Sequence, residues 1–352
     1  MKDGLYSRGG DAQVHGRAFF LVHMLVEITT FYIMTAYVSE NAVWYIALFF
    51  DFFAFMPQGI YGYIRDMGFK VNFAVLGTVL TTVALILFYA ELPPIPVVLV
   101  LTVGNGMIHI EGAETTLRAS DGKITPAALF VSGGSFGLII GKLASWNAFP
   151  VWIIILLNLL SAAPILLSAR RARGLGDIKA GDFRYPNSRL KPAAVVAAAV
   201  LVVAVRAYMG YGIPTSWNKT TAQTVALFCF MGAGKALGGV LTDRIGIRRT
   251  ALISTLGALP FLLFGDNLMI VSLVGVMLFS MTMAVTLALI VSEMERFPGV
   301  AFGLTTIGLF LGTFPVAIYR TTTFAENCIL VVSLTLISAL ILSIICKKED
   351  RK

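Results

Sequence analysis

Charge is scarce in this chain. Only 13% of its 352 residues are Asp, Glu, Lys or Arg, about half the share of an ordinary soluble domain. So few charges exclude a water-soluble globular protein of this size. Cysteine is scarcer still: Cys229, Cys328 and Cys346 stand far apart, which excludes a disulfide framework and Cys-based metal-ligand spacing. There is no zincin pattern and no paired Asp-rich motif for a prenyl phosphate. The sequence therefore calls for no metal ion and no cofactor.

What is present is apolar. Hydrophobic residues make up 57% of the chain, and the mean hydropathy is +0.84. A bilayer explains this, because lipid-facing side chains must be apolar as well as buried ones. Twelve runs are long enough to be membrane helices, over 18–38, 43–64, 71–90, 95–110, 127–146 and 151–169, then 192–213, 221–241, 250–264, 268–291, 300–318 and 329–346. The first run reads as a retained helix rather than a cleaved signal. The long polar stretch over 170–191 divides the runs six and six. It predicts an N-terminal bundle over 1–169, a cytoplasmic linker over 170–191 and a C-terminal bundle over 192–352.

The net charge of +8 does not call for nucleic acid, because the cations sort by topology. With the N-terminus placed in the cytoplasm, the tails, the linker and one set of loops hold nearly all of them. The opposite loops hold Lys219 and Arg320 alone, and Lys142, Arg206 and Lys235 lie within spans. This predicts a multi-pass protein of the cell membrane with both termini cytoplasmic.

The two halves carry related motifs. After the eighth run comes Gly239-Val-Leu-Thr-Asp243-Arg244-Ile-Gly246-Ile-Arg248-Arg249. After the second comes a weaker echo, Gly62-Tyr-Ile-Arg65-Asp66-Met-Gly68-Phe-Lys70. Pro126 and Phe130 at the fifth run recur as Pro298 and Phe302 at the eleventh. Repeated halves around a central path are a common transporter plan. The Gly239–Arg249 motif resembles the cytoplasmic loop signature of the major facilitator superfamily. That resemblance implies an all-α integral membrane fold, with twelve helices in two pseudo-symmetric six-helix bundles. It also implies a secondary transporter working by alternating access, with Gly239, Asp243, Arg244, Gly246, Arg248 and Arg249 as a conformational latch. The first-half copy departs from the pattern by reversing the acid–base order at Arg65-Asp66, which puts a latch in that half in doubt. In the fourth run, Gly104-Asn105-Gly-Met-Ile-His109-Ile-Glu111-Gly112 resembles a stretch of the fosmidomycin-resistance-like efflux branch, with Glu111 departing from it. That implies export.

Charges inside spans cost at least ~2.5–3.5 kcal/mol each, so they carry most of the functional information. Glu27 lies mid-way along the first run, with His23 one turn before it. Asp51, Lys142 and Arg206 share a depth of roughly 10 Å at ~1.5 Å per residue. Ion pairs among these groups, holding helices in register, are one reading. The other makes Glu27 a proton carrier and Arg206, facing it across the path, the partner of an anionic or amphipathic solute. Asn105, His109 and Glu111 form a polar end to the fourth run, where His109 offers a proton relay or merely a solvated helix end. Lys235 reads as a snorkelling residue or a partner of the loop acid. The Gly133, Gly137 and Gly141 series, with Gly234/Gly238 and Gly308/Gly312, predicts close helix packing inside one chain, which points to a monomer. The competing function is a membrane-embedded enzyme, acting on a lipid-linked substrate through His109, Glu111, Glu114 and Asp121 at the cytoplasmic interface. A channel is a third class, without a filter-like loop to support it.

Overall fold

The computed structural model describes residues 8–37, 43–171, 190–319, 321 and 323–346, all helices and connections among the described residues. The linker (mostly 172–189), the tails beyond Arg8 and Cys346, and Arg320 lie outside the described residues.

Twelve segments follow the apolar runs. The first six are α1 (Arg8–Tyr37), α2 with α3 (Val43–Phe55, Gln58–Asp66), α4 (Phe73–Tyr89), α5 (Pro94–Arg118), α6 (Thr125–Trp146), and α7 with α8 (Val151–Leu160, Ala162–Arg171). The last six begin with α9 (Pro192–Gly210) and α10 (Thr221–Ile245). The ninth segment joins α11 (Ile247–Leu252) to α12 (Leu259–Phe264) through a π-helical turn over Ile253–Gly257. Then come α13 with α14 (Met269–Ser280, Thr282–Glu293), α15 (Pro298–Thr313) and α16 (Phe324–Ile345). Ten of the twelve segments are long and apolar enough to cross a membrane. The second is broken at Met56-Pro57, and the third is a shorter apolar helix. The chain is a multi-pass membrane protein.

Helix ends follow local rules. Pro94, Pro126, Pro192 and Pro298 stand in first turns, where a missing N–H costs nothing. Thr220 with Gln223 and Thr323 with Glu326 form capping boxes. Two helices outrun their apolar stretches. α5 continues to Arg118 because its acidic end is paired and buried, and α10 runs on to Ile245. The chain then turns at Gly246, whose φ of 88° favours glycine; its counterpart Gly68 has φ 85°. The sequence repeat is thus a repeat of backbone geometry.

The glycine series set the helix spacing. A Cβ added at Gly133, Gly137 or Gly141 would stand 2.2–2.5 Å from the carbonyl oxygens of Phe20, Met24 and Ile28, so α6 lies directly on α1. In the second half, Cβ atoms at Gly308 and Gly312 of α15 would lie 3.1 and 2.1 Å from the carbonyl oxygens of Val200 and Ala204 of α9. Gly234 and Gly238 of α10 seat against Met277 and Met281. Between the halves, α3 packs on α15 and α6 on α10. There a Cβ at Gly62 would lie 2.3 Å from the Gly299 carbonyl, and a Cβ at Gly239 would lie 2.4 Å from the Cβ of Ala128.

Candidate functional site

α1 places His23 and Glu27 one turn apart on its buried face, and α5 does the same with Asn105 and His109. Room for them comes from α6. A Cβ at Gly134 would lie 2.5 Å from His23 Nε2, and one at Gly137 would lie 2.8 Å from Glu27 Cβ. Here glycine is needed for the site as well as for the packing.

Both imidazoles are held through Nδ1. His23 Nδ1 lies 2.9 Å from the Phe130 carbonyl oxygen, and His109 Nδ1 lies 2.9 Å from that of Asn105. A carbonyl oxygen only accepts, so each Nδ1 carries the hydrogen. In a neutral imidazole this leaves Nε2 as a bare acceptor. Both Nε2 atoms face the same oxygen, Oε1 of Glu27, at 3.9 Å from His23 and 3.5 Å from His109. The rings meet edge to face at 4.4 Å between centroids. Among the described residues only the Asn105 amide donates to that Oε1, at 2.8 Å, and it also reaches the Thr30 hydroxyl at 3.0 Å.

Three buried acceptors thus converge within 4.8 Å of one another. Lone pairs facing one another in a low-dielectric interior repel, so the arrangement calls for a small cation between them. A proton suits it best. Glu27 is the one anionic group of the three, and the Lys235 ammonium is close enough to interact electrostatically with Glu27, His23 and His109. A divalent ion here would leave net positive charge buried, at a cost of several kcal/mol. A proton on the cluster leaves only the Lys235 charge.

Lys235 is the cation across from Glu27, and sequence reasoning assigned it elsewhere. It neither snorkels nor joins the loop acid. It lies ten residues before the end of α10, ~15 Å deep along the axis. There it lines a small cavity between the halves with Ala128, Val131, Met283, Leu287, Phe302 and Thr305. The signal was available in the lysine's depth, but only with the true end of α10 in hand. Beside the cavity, Phe130 and Phe302, the aromatic pair of the sequence repeat, meet at 5.8 Å.

Arg206 does not face Glu27. Its Nη2 donates to the Ser254 and Phe279 carbonyls, both at 2.9 Å, and its guanidinium stacks 3.7 Å over the Phe279 ring. The physical reason lies in two helix irregularities. Ser254 stands in the π-helical turn and Phe279 just before the break between α13 and α14, where carbonyls lose helical partners. Asp51 and Lys142 are not paired either. Asp51 faces Thr313 of α15, and the Lys142 ammonium lies 5.8 Å from the Phe228 ring centre. Among the described residues no salt bridge joins any two of Glu27, Asp51, Lys142 and Arg206, so the expected register-holding pairs do not form.

Glu111 is also separate from the cluster. It pairs with Arg65 at 3.1 Å and accepts from the Phe73 backbone N–H at 2.9 Å. Glu114 bridges Arg65 and Arg118, and Arg118 reaches Asp66 at 3.1 Å. Asp121 stands apart on an exposed turn with φ 52°. The interfacial cluster that an enzyme would need therefore does not assemble: His109 turns to Glu27, and the glutamates are spent on arginines.

Both halves carry a capping aspartate. Asp243 accepts from the Ile124 and Thr125 backbone N–H groups, each at 2.9 Å, and from the Thr125 hydroxyl, at the start of α6. Asp66 accepts from Gly299 at 3.1 Å and Val300 at 2.8 Å, at the start of α15. The reversed order at Arg65-Asp66 therefore does not remove the first-half contact, which the sequence put in doubt. The acid stays at the helix end, and the neighbouring arginine turns to Glu111 and Glu114. A carboxylate at a helix N-terminus satisfies free N–H groups and meets the positive end of the dipole. In the second-half motif, Arg244 and Arg249 are exposed, and Arg248 lies beside Cys346.

No family model matches the chain, and no curated protein does. Solved structures do. A single-substitution variant of the E. coli fucose:proton symporter FucP superposes with a TM-score of 0.67 at 14% identity, over 97% of this chain and 98% of that one. A second structure, described as the major facilitator superfamily transporter FucP in the outward conformation, superposes with a TM-score of 0.62 at 16% identity, over 95% and 96%. At such identities the likeness speaks for architecture, and it spans both chains almost end to end: this chain has the major facilitator fold, twelve membrane segments in two pseudo-symmetric sets of six.

Proposed function

We propose that this chain is a secondary active transporter that moves a small solute by alternating access and couples the movement to protons. The observation that carries the reading is the convergence of His23 Nε2, His109 Nε2 and Glu27 Oε1 on a buried point of the N-terminal half, within electrostatic reach of Lys235 of the other half. A site that must hold a proton, facing a cation of the other half, is what coupling requires. The fold supports it, since the similar solved structures are of a protein named as a fucose:proton symporter.

In this reading the halves 1–169 and 192–352 rock about the linker 170–191, within one monomer in the cell membrane. The face carrying Asp66 and Asp243 is cytoplasmic, as are both termini. Asp243 and Asp66 with their helix N-termini are latches that hold that face shut. Glu27 carries the proton, His23 and His109 relay it, and Asn105 positions the carboxylate. Asp51 and Lys142 lie along the two inter-half seams, α2 with α15 and α6 with α10, where a path to the opposite face opens. Arg206 and Glu111 act on structure first, by holding freed carbonyls and the Arg65 network.

The test is uptake and counterflow in proteoliposomes with a panel of anionic, amphipathic and neutral solutes, with and without a pH gradient of either sign. Coupled transport gives accumulation that follows the gradient, and the sign that drives it separates import from export. Loss of lipid substrate with no solute movement would favour the enzyme.

A further inference from the structure

Among the described residues, the Lys235 ammonium is the one charged group on the wall of the cavity between the halves. Ala128 and Val131 of α6, Met283 and Leu287 of α14, and Phe302 and Thr305 of α15 surround it. Thr305 spends its hydrogen on the Phe302 carbonyl. No hydrogen bond or salt bridge to Lys235 is found among the described residues, and Glu27 acts on it only at longer range. An ammonium with three donors in an apolar pocket is expensive unless an anion meets it.

We propose that Lys235 is the anion-binding group of the transported solute, and that the solute is a monocarboxylate with a small apolar body. This rests on the transport reading and names its substrate class. A single cation suits a single negative charge, and walls of Phe302, Met283, Leu287 and Val131 suit hydrocarbon. In the present state the cavity is about 10 Å³, room for about one water, so the solute enters when the halves part.

The charges then dictate the coupling. With Glu27 ionised, Lys235 already has a negative neighbour, and a second anion is repelled. A proton on the Glu27 cluster removes that charge and frees Lys235 for the carboxylate. Proton and monoanion therefore favour each other's binding, and the pair crosses with no net charge. The titratable and charged groups facing this centre are His23 and Glu27 from α1, His109 from α5 and Lys235 from α10. The cavity residues of α6, α14 and α15 add none.

Calorimetric titration of the purified full-length protein in detergent tests this, with acetate, benzoate, benzamide and phosphate as probes. The expected result is that benzoate binds and benzamide does not. Benzoate should tighten on acidification by up to about tenfold per pH unit, the limit for one linked proton. Lys235→Gln should weaken benzoate at least tenfold, Lys235→Arg should retain part of the binding, and Glu27→Gln should make it independent of pH. Equal binding of benzamide and benzoate, preference for phosphate, binding of neither carboxylate, or unchanged binding in Lys235→Gln overturns the proposal. The benzoate–benzamide comparison needs no variant, so a poorly folded Lys235→Gln does not spoil the test. Gradient-driven movement of a neutral solute alongside failed carboxylate binding would sink this site and leave transport standing.

Discussion

His109 holds its Nε2 3.5 Å from Oε1 of Glu27 while its Nδ1 is spent on the Asn105 carbonyl. The backbone therefore chooses the tautomer, and the tautomer aims a lone pair at a carboxylate. His23 repeats the arrangement through the Phe130 carbonyl. In the proposed mechanism, replacing His109 by Phe removes one of the three atoms that share the proton. Proton-driven uptake should then fail first at the alkaline end of the pH range, while counterflow without a gradient continues. A pH profile of initial uptake rates reads this, and an unshifted profile would assign His109 to packing alone.

The two capping aspartates make a symmetric prediction. Removing a helix N-cap costs ~0.5–2 kcal/mol, a factor of roughly 2–30 in the balance between shut and open. Asp66→Ala and Asp243→Ala should each shift the population towards opening at the latch face by that order. Spin-label distances across that face would show it. The double variant should open further than either single one, because the contacts close different seams.

Glycines that look alike in sequence should behave differently. Gly62 faces Gly299 across the two halves, whereas Gly137 packs α6 on α1 within one. Gly62→Ala forces the halves apart at the latch face, so it should bias conformation with little loss of thermal stability. Gly137→Ala presses on the Met24 carbonyl and on Glu27, so it should lower the melting temperature. A thermal melt together with the same distance measurement separates the two outcomes.

Arg206→Met tests the clamp. It leaves the Ser254 and Phe279 carbonyls without the guanidinium, at about 1–3 kcal/mol for each buried group left unsatisfied. Thermal stability should fall along with transport. Loss of solute binding with an unchanged melting curve would instead make Arg206 a ligand for the solute.

Much of the fold was legible in the sequence, for a physical reason: a bilayer demands long apolar runs and sorts cations by side. The repeat was legible too, since Gly68 and Gly246 share a backbone conformation and Phe130 meets Phe302. The ends of segments were harder to read. α5 runs eight residues past its apolar stretch because Glu111, Glu114 and Arg118 are neutralised by Arg65 and Asp66, which no run of hydropathy reports. Glu27, Asn105 and His109 were picked out singly by their cost in a membrane, and packing brought them together. Arg206, expected to face Glu27, does not. Arg206 had a local use that depends on a π-helical turn and a helix break, both invisible to periodicity. Lys235 looked like an end residue because α10 seemed four residues shorter than it is.

The central claim is that the Glu27 cluster holds the coupling proton, and Glu27→Gln tests it most directly. The measurement compares, in the same proteoliposomes, solute accumulation driven by a pH gradient with counterflow in its absence. The account predicts that the variant keeps counterflow and loses gradient-driven accumulation, since an amide can neither take nor release the proton. Gradient-driven accumulation equal to that of the parent protein would contradict it.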